Sequence, residues 1–133
     1  MMRVWVNGSF DVVHIGHIEL LKYAFSLGEV MVGLDSDNRI KQLKRDNRPF
    51  NSELDRLKFL SSIKYINKIS IFNSDEELIN LMQLYQPDYM VIGSDYKDKH
   101  IIGSEYVAQI VYFDRIKNKS TTEILNYGKT NSL

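Results

Sequence analysis

Five short, compact apolar runs, rich in β-branched and aromatic residues, recur along the chain of 133 residues. They are RVWV at 3–6, VMVGL at 30–34, KISIF at 68–72, YMVIG at 89–93 and QIVYF at 109–113. Runs of this kind are typical of strands that a parallel sheet buries on both faces, because both sides of such a strand face the core. We therefore predict five strands.

Between these runs, apolar residues return with the period of a helix. The segment HIELLKYAFSLG at 17–28 predicts a helix that ends at Gly28. Its expected apolar face consists of Ile18, Leu20, Leu21, Ala24 and Phe25.

Two later segments carry signals for the start of a helix. In NSELDRLKFLSSI at 51–63, Ser52 is a candidate N-cap with Asp55 three residues on. The expected apolar side of that helix consists of Leu54, Leu57, Leu60 and Ile63. In NSDEELINLMQLYQPD at 73–88, acidic residues occupy the predicted first turn, where the helix dipole favours them, and a proline follows the last turn.

This alternation of strands and helices predicts the fold class. Successive right-handed βαβ units give a doubly wound α/β fold, with a five-stranded parallel sheet and helices on both faces. The length of 133 residues fits one domain over 1–133. The polar ending NYGKTNSL, at 126–133, is expected to be a frayed tail.

The amino-acid composition of the chain excludes several classes of binding partner and of chemical site. Seventeen Lys and Arg balance seventeen Asp and Glu, so no overall field favours nucleic acid. The absence of cysteine excludes disulfides, thiolate metal sites and cysteine nucleophiles. No apolar stretch approaches the about 20 residues that span a bilayer. We expect a cytoplasmic protein that binds neither nucleic acid nor membrane.

The stretch VNGSFDVVHIGHIELL at 6–21 contains two of the three histidines, His14 and His17. If RVWV is the first strand, NGSFDVVHIG forms the loop at its carboxyl edge and His17 opens the first helix. In an open α/β sheet this edge binds ligands, and a helix N-terminus offers N–H groups to an anion. Gly8 and Gly16 permit close approach of the backbone at both ends of the loop.

Two imidazoles three residues apart can donate to the same phosphoryl oxygen. The alternatives are surface residues at the start of a helix, or half of a metal site. A zinc site needs a third ligand, and the only other histidine, His100, lies far along the chain. The spacing fits neither a Walker loop nor a G-x-G-x-x-G dinucleotide motif. These residues therefore indicate phosphate binding, and they leave open whether the site is catalytic.

Two segments resemble the signatures of a known family. GSFDVVHIGH at 8–17 resembles the G-[TSCV]-F-D-x-x-H-x-G-H signature of the cytidylyltransferase-like nucleotidyltransferases, and STTEIL at 120–125 resembles their second signature, I-S-T-T/S. The resemblance covers nearly the whole chain. It implies a Rossmann-like α/β domain that transfers a nucleoside monophosphate from a nucleoside triphosphate to a phosphate-bearing substrate and releases pyrophosphate.

A basic run, RIKQLKRDNRPF at 39–50, follows the second predicted strand. By composition alone such a run is usually a solvated face, but its position lets it fold over the ligand edge. The resemblance implies a mobile loop whose lysine clamps the triphosphate, with Lys44 as the best match and Lys41 as the next. It also matches Arg56 to an arginine that reaches phosphate. The implied catalytic residues are His14, His17, Lys44 and Arg56. The alternative for Arg56 is an exposed residue that pairs with Glu53 or Asp55.

The remaining implied site residues bind the nucleotide. Gly93, Asp95 and Tyr96 follow the fourth predicted strand, where a doubly wound sheet places the nucleoside. Asp95 helps to hold either magnesium or the nucleoside, and no residue is a certain metal ligand. The full set is Gly8, Ser9, Phe10, Gly16, Lys41, Gly93, Asp95, Tyr96, Arg115, Ser120 and Thr121. The alternative for the STTE segment is a plain capping box with Glu123.

The choice of substrates divides two branches of the family. The segments LKRDNRPFN, GSDYK and IIGSEYV are similar to those of the D-glycero-β-D-manno-heptose 1-phosphate adenylyltransferases, and they favour ATP and a sugar phosphate. Arg115 favours the other branch, the glycerol-3-phosphate cytidylyltransferases, which use CTP. A non-catalytic nucleotide-binding module is a third alternative, because the segment before STT is atypical. The resemblance also implies Mg²⁺ with the triphosphate and a homodimer.

Overall fold

The structure of the protein is a computed structural model that describes residues 1–43 and 48–114. The strands are β1 (Arg3–Gly8), β2 (Glu29–Asp35), β3 (Lys68–Phe72), β4 (Tyr89–Gly93) and β5 (Gln109–Phe113). The helices are α1 (Ile15–Leu27), α2 (Asp37–Leu43), α3 (Glu53–Ser61) and α4 (Asp75–Tyr85). Short 3₁₀ turns occupy Ser94–Tyr96 and Ser104–Tyr106. All five predicted strands are confirmed, and three of them have the predicted bounds.

All the strands pair in parallel, in the order β3-β2-β1-β4-β5. The chain winds outward from β1 through β2 to β3, then crosses back to β4 and β5. The predicted Rossmann-like, doubly wound parallel sheet is therefore confirmed. The winding reverses between β1 and β4, and a crevice opens there at the carboxyl ends of the strands.

Apolar side chains cover both faces of the sheet, because neighbouring residues of a strand point to opposite sides. On one face, Leu21 and Ala24 of α1 and Leu60 of α3 pack on valines of β1 and β2. On the other face, Trp5 and Phe72 pack with Leu78, Met82 and Tyr85 of α4. In the described part of the chain, no helix is long and apolar enough to cross a bilayer.

Two expected apolar faces were wrong in part. Helix α1 begins at Ile15 rather than His17, and Phe25 is exposed at the rim, where its ring contacts Tyr65 at 5.7 Å between centroids. Leu54 of α3 is 70% exposed. The other three predicted residues, Leu57, Leu60 and Ile63, do pack on the core. Arg56 joins this inward face, because its guanidinium is drawn into the protein. The predicted N-cap of α3, Ser52, is confirmed.

Candidate active site

A pocket of about 360 Å³ lies at the carboxyl edge of the sheet, where the winding reverses. It brings together residues that follow β1 and β4, as expected for a doubly wound fold. Six of the predicted site residues line it: Gly8, Ser9, Phe10, His17, Gly93 and Tyr96. Gly93 ends β4 and Tyr96 lies in the 3₁₀ turn that follows. The topology of the sheet brings both residues to the pocket that His17 lines, although they are far from it in sequence.

The two histidines form a reciprocal cap at the start of α1. His14 is the N-cap, and its Nδ1 accepts a hydrogen bond from the backbone N–H of Gly16 at 3.0 Å. Nδ1 of His17 accepts from the backbone N–H of His14 at 3.1 Å. The ring centroids lie 4.0 Å apart. The N–H groups of Gly16 and His17 are donated within this cap. The first turn contains no acidic residue, so the positive end of the helix dipole favours an anion.

This cap decides which ring nitrogen carries the proton. A nitrogen that accepts a hydrogen bond is unprotonated, so the neutral rings of His14 and His17 carry their proton on Nε2. Both Nε2–H groups are therefore donors. The backbone thus turns two adjacent imidazoles into a pair of hydrogen-bond donors with fixed tautomers, which suits an anionic oxygen.

Phe10 has an unusual backbone conformation beside these rings. Its φ of 47° lies in the left-handed region, which a bulky side chain rarely adopts and which costs about 1–3 kcal/mol. The ring is 6% exposed and contacts the His17 ring at 5.4 Å between centroids. A Cβ at Gly8 would lie 3.3 Å from the same ring, so Gly8 leaves room for it. The strained turn places an apolar wall against His17.

The residues after β4 form the other wall of the pocket. Tyr96 lines it and is 47% exposed. Asp95 folds back toward the end of the strand, because its Oδ1 lies 2.7 Å from the position of a Cβ on Gly93. Asp95 therefore lies near the pocket, in the turn that separates Gly93 from Tyr96.

Arg56 lies beneath the loops of the site. It is 2% exposed, so the alternative of an exposed helical residue was wrong. Its Nη1 donates to the carbonyl oxygens of Ser9 at 2.8 Å and Asp35 at 2.7 Å, and its Nε donates to that of Asn51 at 3.0 Å. Nη2 forms an ion pair with Asp37 at 2.8 Å. These contacts support a different role from the phosphate contact that the resemblance implies.

Sequence reasoning missed Asp11 and Asp35. Asp11 is 3% exposed, and with Arg56 it borders a neighbouring pocket of about 640 Å³. Asp35 ends β2, lines the smaller pocket and accepts from Nε of Arg39 at 3.2 Å. The available signals were the aspartate inside GSFDVVHIGH and the carboxylate at the end of a predicted strand.

Other predicted residues lie away from the pocket or outside the described chain. Gly16 contributes its N–H to the cap of His14. Lys41 is exposed in the last turn of α2. The residues outside the described ranges are Lys44, Arg115, Ser120 and Thr121. Within those ranges, no group of three or more His, Asp and Glu residues is arranged to hold a metal ion.

The chain is similar to proteins of a known family over most of its length. The family model described as cytidylyltransferase-like matches residues 5–126. The bifunctional protein HldE of Campylobacter fetus is 42% identical over 124 residues, which is 92% of this chain and 27% of that protein. HldE of Helicobacter pylori is 40% identical over 123 residues, 92% of this chain and 26% of that protein. The chain thus spans about a quarter of the length of these curated relatives.

Solved structures agree on the fold. The lipopolysaccharide core biosynthesis protein of Thermoplasma volcanium superposes with a TM-score of 0.73 and is 25% identical, with coverage of 88% of this chain and 99% of that one. A protein of unknown function from Archaeoglobus fulgidus has a TM-score of 0.65 at 19% identity, with coverage of 85% and 90%. The second likeness concerns the fold alone.

Proposed function

The chain belongs to the cytidylyltransferase-like family of nucleotidyltransferases, and we propose that it transfers the adenylyl group of ATP to a sugar phosphate such as heptose 1-phosphate, with release of pyrophosphate. The observation that carries this proposal is the reciprocal cap of His14 and His17. This cap supports the proposal because it leaves Nε2–H as the side-chain donor of each ring, and because His17 lines the pocket at the edge of the sheet where a nucleoside triphosphate is expected.

The proposed reaction is an in-line displacement at the α-phosphorus. An oxygen of the acceptor phosphate forms a bond to this phosphorus, and the bond to the bridging oxygen of the pyrophosphate breaks. The acceptor oxygen is already ionised, so no side chain need serve as nucleophile. The protein acts by orienting the two phosphates and by donating to the charge that develops. His14 and His17 would donate to oxygens of the α-phosphate.

The remaining phosphate contacts are proposed from the resemblance. Lys44, with Lys41 and Arg115 as further candidates, would neutralise the β- and γ-phosphates. Hydroxyl groups would add neutral donors, from Ser9 at the lip of the pocket and from Ser120 and Thr121 in the second signature. The nucleoside would lie between the β1 and β4 loops, beside Gly93 and Tyr96.

Mg²⁺ is proposed as the partner of the triphosphate. Magnesium commonly binds through substrate phosphates, with one or two carboxylates and several waters, so a cluster of protein ligands is not required. The donor set near the pocket fits this mode, because Asp95 and Asp35 offer carboxylates at the ends of β4 and β2. When bound, the ion would neutralise charge on the departing pyrophosphate.

The preference for ATP rests on the segments that surround the proposed nucleoside site. GSDYK and IIGSEYV are similar to the heptose adenylyltransferases, and the similarity to HldE proteins and to a lipopolysaccharide core biosynthesis protein favours a sugar substrate. The alternative is a glycerol-3-phosphate cytidylyltransferase that uses CTP, which Arg115 favours. A non-catalytic nucleotide-binding module is the second alternative.

The test is the release of pyrophosphate from ATP and from CTP, each with heptose 1-phosphate, glycerol 3-phosphate or no acceptor. We expect the highest kcat/KM with ATP and heptose 1-phosphate. The preference for ATP should be large, because a wrong base leaves buried donors and acceptors unpaired. A preference for CTP would overturn the adenylyl assignment and leave the transfer chemistry standing. If no pair of substrates releases pyrophosphate while ATP or CTP binds, the non-catalytic alternative is supported.

A further inference from the structure

We infer that Asp11 is a positioning residue for the transfer reaction, and that it acts with Arg56 through Phe10 to fix the imidazole of His17. Asp11 is not among the residues that line the pocket of about 360 Å³, where the nucleotide is proposed to bind, so the inferred action is indirect. The inference rests on the proposed function, because it assumes that His17 donates to the α-phosphate.

The loop between β1 and α1, residues 9–14, contains Asp11 and His14. The carboxylate of Asp11 connects this loop to the turn that precedes α3. Oδ2 accepts from the backbone N–H of Phe50 at 2.8 Å, and Oδ1 accepts from that of Asn51 at 2.8 Å. The side-chain amide of Asn51 donates back to the carbonyl oxygen of Asp11. Nη1 of Arg48 lies 3.8 Å from Oδ2 and offsets the charge of this buried carboxylate. Two segments about 40 residues apart in sequence are thereby held at a fixed distance.

Arg56 closes this connection into a ring of hydrogen bonds. Its Nε donates to the carbonyl oxygen of Asn51, which is the residue that Asp11 holds through its N–H. Its Nη1 donates to the carbonyl oxygen of Ser9. Bonds therefore anchor the loop at Ser9 and at Asp11, one residue on either side of Phe10. Buried networks of this kind hold their members more firmly than separate bonds do.

The residue between these two anchors is the strained one. A non-glycine residue stays in the left-handed region only where its surroundings leave no other conformation, and here both neighbours of Phe10 are fixed. The ring of Phe10 then packs against His17, which in turn contacts His14. Release of Asp11 would let Phe10 relax and would shift the wall that supports His17.

A shift of this kind should affect the rate rather than the binding of the triphosphate. Misplacement of a reacting group by about 1 Å can cost about 100-fold in rate, whereas many contacts share the binding of a triphosphate. A merely structural role would instead lower stability and leave the folded fraction fully active. The kcat per folded molecule and the state of the His17 ring therefore separate the two roles.

The experiment compares Asp11→Asn and Phe10→Leu with wild type and with a matched control, Asp88→Asn. Asp88 also accepts a backbone N–H, that of Arg3 at 2.8 Å, but at the opposite end of the sheet. We expect kcat with ATP and heptose 1-phosphate to fall about 10- to 100-fold in both test variants, with KM for ATP within about threefold. The ¹⁵N and ¹H signals of the His17 imidazole should shift in both, at a temperature at which each variant is folded. The control should match wild type in kcat and in these signals.

Wild type and His17→Ala, measured beside them, separate failure of this inference from failure of the proposed function. If wild type releases no pyrophosphate from ATP with heptose 1-phosphate, the proposed function fails. If wild type is active and His17→Ala keeps that activity, the donor role of His17 fails, and the inference with it. If His17→Ala is inactive while Asp11→Asn and Phe10→Leu stay within twofold of wild type in kcat, the positioning role is overturned. A rise in KM for ATP at unchanged kcat would overturn it as well. Should Asp11→Asn fail to fold, Phe10→Leu still tests the last step of the inference, because it keeps every bond of Asp11 and removes only the ring beside His17. Unchanged kcat in Phe10→Leu would then overturn the inference, since no route from Asp11 to His17 would remain.

Discussion

Nδ1 of His17 accepts the backbone N–H of His14 at 3.1 Å, so the two histidines share one helix cap as well as one proposed substrate. The same bonds that begin α1 select the tautomer of both rings. Local folding and the proposed chemistry therefore depend on the same side chains. Substitutions of these histidines can measure the contribution to stability and the contribution to turnover separately.

His14→Ala and His17→Ala should each lower kcat by about 10² to 10³, because each removes a donor that acts on the charge of the transition state. That loss corresponds to about 3 to 4 kcal/mol of barrier. The steady-state rate of pyrophosphate release measures the turnover, and circular dichroism measures the folded fraction. His100→Ala is the matched control, since His100 is exposed and remote in sequence from the cap. Activity within a few-fold of wild type in both variants would show that the cap is purely structural.

His14→Asn is expected to separate the two contributions at this position. Asparagine is a good N-cap, so the start of α1 should remain stable, with a change of less than about 1 kcal/mol in the free energy of unfolding. Its shorter amide would not place a donor where Nε2–H of His14 lies, so kcat should stay low. Urea unfolding and turnover, measured on the same preparation, check both parts. Recovery of wild-type activity would contradict the role of the imidazole as donor.

Lys44→Ala should lower kcat/KM for ATP about tenfold or more, and Lys41→Ala should have a much smaller effect. One lysine suffices to neutralise the outer phosphates, and the resemblance matches Lys44 to that position. Lys41 is exposed at the end of α2 and serves as the matched control. Steady-state kinetics with varied ATP measure both. Small and equal effects would indicate that the basic run is only a solvated face.

Arg56→Ala should lower the free energy of unfolding by about 3–5 kcal/mol, because it leaves the carboxylate of Asp37 and buried carbonyl groups without their donor. Lys58→Ala removes a cation from an exposed position of the same helix and should change the free energy of unfolding by less than about 0.5 kcal/mol. Urea denaturation followed by circular dichroism measures both. Equal effects would refute the structural role of Arg56.

Tyr85 should make stability depend on pH in alkaline solution. Burial, together with the carboxylate of Glu29, raises the pKa of Tyr85 to about 12, and its hydroxyl donates to the carbonyl oxygen of Glu29 at 2.8 Å. The unfolded chain releases this proton near pH 10, so the contribution of Tyr85 is complete below about pH 10 and is lost as the pH rises toward 12.

Tyr85→Phe removes this titration and leaves the other seven of the eight tyrosines unchanged. Between pH 9 and pH 11, wild type should lose about 1 kcal/mol more of its free energy of unfolding than Tyr85→Phe loses. Urea titrations at the two pH values measure this difference. Parallel losses in the two proteins would show that the pKa of Tyr85 is not raised in the folded state.

The sequence by itself determined the five strands, three of the four α-helices of the described chain and their order along it. Helix α2, Asp37–Leu43, was not predicted, because it begins the basic run that was expected to form a loop. Compact apolar runs located β1 to β5, since burial on both faces of a sheet leaves a local signal in each strand. The histidine motif, placed after the first of these runs, also predicted a candidate site at the carboxyl edge, where His17 lines a pocket. Such features depend on residues that are close in sequence, and so periodicity and motif spacing report them.

The tertiary structure decided what the buried polar residues do. Nothing near Arg56 in the sequence indicates that its guanidinium binds the carbonyl oxygen of Ser9, 47 positions away, or that Asp11 holds Asn51, 40 positions away. Hydrophobic periodicity counts a charged residue as exposed, and for that reason it left Arg56 out of the inward face of α3. Long-range pairing of polar groups depends on which loops the sheet topology brings together, because a buried charge is stable only beside the partners that the fold supplies.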